Sequence, residues 1–248
     1  MTHLRTTVGL TAVAAGAWTL LAAGAVAMPD SGVGLGAYLV AWSVTMAAMM
    51  LPSIAPLAGA HRRMTAADPP GRRALRSAAL AVGYLTAWAL VGLAAFFVAW
   101  QSDALGERSP GTAVWLATVG LVTAGAYQFS PVKDACLRRC RSPFVVLLQL
   151  AGVRGAGGDL AIGLRQGAWC AGCCWALMAA MVLAGAMSVA WMAIIAVVVV
   201  VEKTWRRGPA LARVAGTVLL LLALATILVP GLASPLAPGS MEMMESRP

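Results

Sequence analysis

The sequence predicts an all-α fold, a polytopic transmembrane helix bundle of about seven spans. Three observations carry that expectation. Hydrophobic residues make up 60% of the 248 and charged residues only 11%, against about 25% charged in soluble domains. Mean hydropathy is +0.83. The Lys and Arg residues fall in short blocks between apolar stretches, as membrane topology requires. The net charge of +9 comes with no aromatic-and-basic recognition pattern, which argues against a nucleic-acid partner and leaves membrane lipid as the surroundings.

A helix needs about 20 apolar residues to cross the hydrocarbon core. On that measure the spans fall at 8–27, 34–57, 77–100, 112–130, 165–184, 187–202 and 211–229. The first ends in "AGAVAM", an A-x-A-like site, so cleavage as a signal peptide is an alternative that leaves six spans; its apolar run of about 20 residues exceeds the usual signal core. The second carries Pro52 and Pro56, which free backbone carbonyls and kink a helix. The 61–76 stretch, with "DPPGRR", reads as a polar loop containing His61. From Gly167 to Val201 there is no charge. That stretch is long for one span and short for two, so a tight hairpin is expected near Gly185–Ser188. With these spans every Lys and Arg except Arg108 and Arg247 lies on one side. The positive-inside rule then puts the N-terminus on the cytoplasmic side and the C-terminus outside. Residues 1–230 form one bundle, and 231–248, Pro- and Met-rich with Met241, Met243 and Met244, form a disordered extracytoplasmic tail.

The stretch "WCAGCCWALMAAM", 169–181, places Cys170, Cys173 and Cys174 at i, i+3 and i+4. Cys170, Cys174, Met178 and Met181 share one helix face, with Cys173 beside it. Cys136 and Cys140, in "SPVKDACLRRCRSP", are spaced i, i+4 on a short helix expected to be capped by Asp134 and bounded by Pro131 and Pro143. The topology brings all five cysteines, and the acid–base pair Glu202 and Lys203, to the inner membrane boundary. Met46, Met49 and Met50 repeat the i, i+3, i+4 spacing in the inner half of the second span. Soft sulfur ligands select copper(I), zinc or iron–sulfur clusters. The two histidines, His3 and His61, match no zinc spacing, and "CLRRC" with "CAGCC" is not a tandem C-x-x-C ribbon. Copper(I) is the expected metal. Blander roles stand beside this one: apolar packing for the methionines, surface thiols for Cys136 and Cys140, an interfacial ion pair for Glu202–Lys203, and structural polar groups at a helix end for Tyr127 and Gln128.

The segments "MAAMMLPSIAP", "GAYQFSPVKDACLRRCRSP" and "GLRQGAWCAGCCWALMAAM…VVVVVEKT" resemble a bacterial family described as predicted metal-binding integral membrane proteins, over roughly residues 36 to 205. Met46, Met49, Met50, Tyr127, Gln128, Lys133, Cys136, Cys170, Cys173, Cys174, Trp175, Met178, Glu202 and Lys203 match the family pattern, with Leu51 inserted before Pro52. The resemblance implies metal binding.

The expected function is copper(I) or soft-metal handling in delivery or insertion, with a copper enzyme or a soluble metallochaperone as partner. Cys170, Cys173 and Cys174 form the main site, Cys136 and Cys140 exchange metal, and the methionines add weaker thioether sites. Lys133 and Lys203 are expected to lower the thiol pKa values. A membrane thiol–disulfide oxidoreductase using "CAGC" is the alternative, although no thioredoxin-like pattern surrounds that motif. A metal-dependent membrane enzyme acting on a lipophilic substrate ranks last, because no nucleophile–base constellation accompanies the metal-type residues.

Overall fold

The computed structural model describes residues 2–26, 32, 34–106, 110–142, 155–183 and 189–228. Among them the regular structure is wholly helical: α1 (Thr2–Ala22), α2 (Leu35–Met50), a 3₁₀ turn (Leu51–Ile54), α3 (Ala55–Met64), α4 (Pro70–Gly106), α5 (Pro110–Tyr127), α6 (Pro131–Arg141), α7 (Gly155–Leu183), α8 (Val189–Thr204) and α9 (Gly208–Leu228). The all-α bundle expected from composition is what the chain forms. By length and composition, three stretches of the described residues suffice to cross a membrane: Leu35–Met64, Pro70–Gln101 and Gly208–Leu228. Gly9–Ala22 and Val114–Tyr127 are shorter apolar helices. The hairpin expected near Gly185–Ser188, the side chain of Arg108 and the 231–248 tail with its methionines lie outside the described residues.

The most extensive helix contact is between α4 and α7, and its cause lies in glycines. A side chain at Gly83 would collide with the Leu160 carbonyl, one at Gly163 with the Leu80 carbonyl, and one at Gly167 with Ala87 and the Tyr84 carbonyl. Gly163 and Gly167 form a G-x-x-x-G pair, the spacing that lets two apolar helices meet backbone to backbone. On the other flank, Gly125 of α5 and Gly216 of α9 make a similar close approach. A buried hydroxyl contact of 3.0 Å between Thr118 and Thr226 joins the same two helices.

The second span is broken, as its prolines require. α2 stops at Met50, the 3₁₀ turn holds Pro52, and α3 restarts with Pro56 in its first turn. The Met50 carbonyl at the break accepts the Ser53 hydroxyl at 2.7 Å and the Tyr84 hydroxyl at 3.4 Å.

The polar loop expected over 61–76 is a correction. Helix α3 runs on to Met64 and α4 begins at Pro70, leaving a short link. Arg73 ties that link down by donating to the carbonyls of Thr65 (3.1 Å), Ala66 (2.5 Å) and Asp68 (2.9 Å). His61 is not a loop residue either. It is fully buried in α3, with Nε2 3.1 Å from Asp159 Oδ1. Arg76 holds the same carboxylate at 2.6 Å and reaches Asp68 at 2.9 Å. Helix α7 starts ten residues before the apolar run expected from 165, and Asp159 in its second turn is paired inside the bundle.

The main core packs Trp42, Trp88, Tyr38 and Tyr84 with the methionines and cysteines of α2, α7 and α8. Trp42 lies against Gly92 and donates its indole N–H to the Trp88 carbonyl at 2.9 Å.

Replacing Gly163 or Gly167 by Leu should unseat α7 from α4, at a cost beyond the roughly 1–3 kcal/mol of ordinary overpacking. The measurement is the unfolding midpoint of detergent-solubilised protein. Gly157→Ala, where an added carbon meets nothing, should leave the midpoint unchanged or raise it.

Candidate metal centre

Helix α6 is short, and its ends hold it. The Ser130 hydroxyl caps it by accepting the Lys133 N–H at 3.1 Å, and Pro131 occupies the first turn. Asp134 sits in that first turn and Arg138, Arg139 and Arg141 in or near the last, each charge suiting its end of the helix dipole. The helix lies across α7 with Lys133, Cys136 and Leu137 turned inward. Gly172 of α7 makes room, since a β-carbon there would sit 2.9 Å from Cys136 Sγ. The neighbouring Gly172 carbonyl accepts the Tyr127 hydroxyl at 2.5 Å, and Tyr127 packs edge-on against Trp175. Arg139 covers the Trp169 ring at 4.2 Å.

The five thiols are free and come from two helices to one place. Cys170, Cys173 and Cys174 are buried in α7, as are Met178 and Met181. Cys136 is buried and Cys140 is partly exposed. Cys140 Sγ lies 3.8 Å from Cys173 Sγ. That is far beyond a disulfide bond of about 2.05 Å. It matches the edge, about 3.8 Å, of a tetrahedral site with metal–sulfur bonds of about 2.3 Å. Cys173 and Cys174 each direct Sγ to the Cys170 carbonyl at 3.0 Å. Among the described residues no group of three or more His, Cys, Asp or Glu is arranged to hold a metal ion. The contact with Cys173, then burial, pushes the Cys140 thiol pKa up, and burial does the same for Cys136.

Cys170 Sγ has two polar neighbours that differ in how readable they were. Lys203 Nζ donates to it at 2.8 Å and also reaches Ser53 Oγ at 3.3 Å. The Tyr84 hydroxyl is 2.9 Å from the same sulfur. Lys203 was expected here; Tyr84 was missed, and its signal was the adjacent Gly83, which brings α4 against α7. The pairing of Glu202 with Lys203 is a correction. Glu202 instead accepts from Lys133 Nζ at 2.9 Å, and Lys133 also donates to Gln128 Oε1. Successive residues on a helix point some 100° apart, so Glu202 faces α6 while Lys203 faces the thiols. Lys133 is thereby committed to a carboxylate and an amide rather than to the cysteines. Glu202 Oε1 and Gln128 Nε2 have no partner within this buried group.

The methionines Met46, Met49 and Met50 are buried in the same core as the thiols, together with Met178 and Met181. Met192 of α8, not singled out in the sequence, joins them and is fully buried.

The described residues thus form a helical bundle with membrane-length apolar helices that gathers thiols and thioethers in one core beside a buried lysine. The chain matches the PpoB2 copper chaperone family model over residues 39–226 and belongs to that family. No curated protein and no solved structure matches it at a significant level.

Glu202→Ala should cost about 3–5 kcal/mol by leaving Lys133 buried without its counter-ion. Lys133→Met with Glu202→Met should recover most of that loss in the unfolding midpoint. Brief alkylation followed by mass spectrometry should label Cys140 first, ahead of the four buried thiols.

Proposed function

We propose that this chaperone carries copper(I) on the sulfurs of α6 and α7 and delivers it to a copper enzyme, with copper as cargo. The single observation that carries the reading is the partly exposed Cys140 thiol 3.8 Å from the buried Cys173, at the edge of a core rich in thioethers. Cys170, Cys173 and Cys174 provide the tight thiolate site. Cys140, with Cys136 behind it, exchanges metal with a soluble metallochaperone or other donor. Met178, Met181, Met46, Met49 and Met50 offer weaker sites toward the bundle interior. Graded soft ligands permit transfer because each exchange replaces one copper–sulfur bond by another. Lys203 compensates the charge of a buried anionic copper–thiolate complex. The protein resides in the bacterial cytoplasmic membrane, N-terminus inside and C-terminus outside; the three membrane-length helices and the one-sided arginines support this.

The same sulfur pair favours a second reading, thiol–disulfide exchange between Cys140 and Cys173. Rapid alkylation under copper-free conditions separates the two, since a redox carrier cycles that pair between thiol and disulfide.

Copper(I) titration of the purified full chain tests the first reading. The variant Cys170→Ser/Cys173→Ser/Cys174→Ser should lose more than the roughly 100-fold in affinity that substitutions behind a metal site can remove. Equal affinity and stoichiometry in variant and wild type would refute it.

A further inference from the structure

Two adjoining hollows sit outside the thiols and have so far been given no role. The inner one, about 50 Å³, is bounded by Cys140, Arg141, Gln166, Lys203 and Ser53 among others. The outer one is a cleft of about 510 Å³ lined by Arg138, Arg141 and Arg206 against a lone acid, Asp134. Arg141 and Ser142 border both, so these two residues form the wall between the cleft and the hollow that contains Cys140. Arg141 is fixed as the shared wall, its guanidinium donating to the Glu202 carbonyl at 3.1 Å and the Trp205 carbonyl at 2.5 Å. Arg138 and Arg206 are exposed.

We infer that this cleft receives copper(I) as the complex of a small anionic thiol, one bearing carboxylates, and passes the ion to Cys140. The inference rests on the copper reading above. Three features point to that ligand class. The volume lies in the range of small-molecule sites. The lining is cationic, matching carboxylates, which arginine grips well. The partly exposed thiol of Cys140 lies in the adjoining hollow, behind the wall of Arg141 and Ser142. The exchange is redox-neutral: Cys140 Sγ bonds to the copper ion, one carrier sulfur–copper bond breaks, and the Cys140 proton leaves with the released carrier thiol. A second such step at Cys173, 3.8 Å away, frees the remaining carrier sulfur in the same way.

The test follows copper uptake by stopped flow into the full chain in zwitterionic-lipid nanodiscs. Copper(I) is supplied either on glutathione, which carries two carboxylates, or on the uncharged thiol 2-mercaptoethanol at matched free copper. Electrostatic steering should make the anionic carrier about 10-fold faster at low salt. That ratio should fall toward one at high ionic strength and in Arg138→Gln/Arg206→Gln. Cys140→Ser should slow uptake from both carriers, and Cys136→Ser should slow it less. Equal rates for the two carriers would overturn the inference, as would an advantage that survives the arginine substitutions or wild-type uptake by Cys140→Ser. Loss of the advantage when the nanodiscs contain anionic lipid would overturn it too, by assigning the cleft to headgroups. Uptake from neither carrier would overturn the copper reading itself, and the cleft's role with it.

Discussion

The backbone contact between α4 and α7 is the constraint on which the rest depends. Gly83, Gly163 and Gly167 let the two helices approach more closely than any side chain would permit. The residues next to those glycines are the ones that meet across the seam. Tyr84 follows Gly83, Cys170 lies three residues beyond Gly167, and their side chains touch at 2.9 Å. On the same helix Gly172 opens the hollow that seats Cys136, so small residues both lock α7 to one neighbour and admit another. The thiols are thus held by a rigid element, and their burial follows from helix packing rather than from any affinity of sulfur for sulfur.

Charge inside the bundle is handled by pairing. His61, Asp159, Arg76 and Asp68 form one group near the start of α7, and Lys133, Glu202 and Gln128 form another between α6 and α8. Asp159, Lys133 and Glu202 are the buried charges among them, and leaving one unpaired would cost several kcal/mol. Lys203 is the exception in kind, because its neighbours are a thiol and a hydroxyl rather than a carboxylate. A cation held against sulfur is the arrangement that the proposed copper–thiolate complex, which is negatively charged, would require.

Much of this was legible in the sequence. Apolar content and charge spacing pointed to a helical bundle. Pro131 marked α6, although its cap is Ser130 and not Asp134; the two prolines marked the break after Met50, and i, i+3, i+4 spacing grouped the sulfurs. What was not legible came from contacts distant in sequence. The spacing of Glu202 and Lys203 suggested a pair, but adjacent helical residues diverge, and Lys133, remote in the chain, took the carboxylate. His61 looked like a loop residue because two arginines follow it; its burial depends on Asp159 of another helix. Met192 carries no local pattern and is defined by the helix it faces, while Tyr84 is marked only by the glycine before it.

Helix α8 ends with two neighbouring side chains that reach in different directions, Glu202 to the lysine of α6 and Lys203 to the sulfur of α7. Such an end works like a two-pronged plug. Rotating the helix to strengthen one prong withdraws the other, and sliding it along its axis pulls both. A third helix that contributes no sulfur to the gap between Cys140 and Cys173 thus bridges the two helices that do, adding to their direct packing at Gly172.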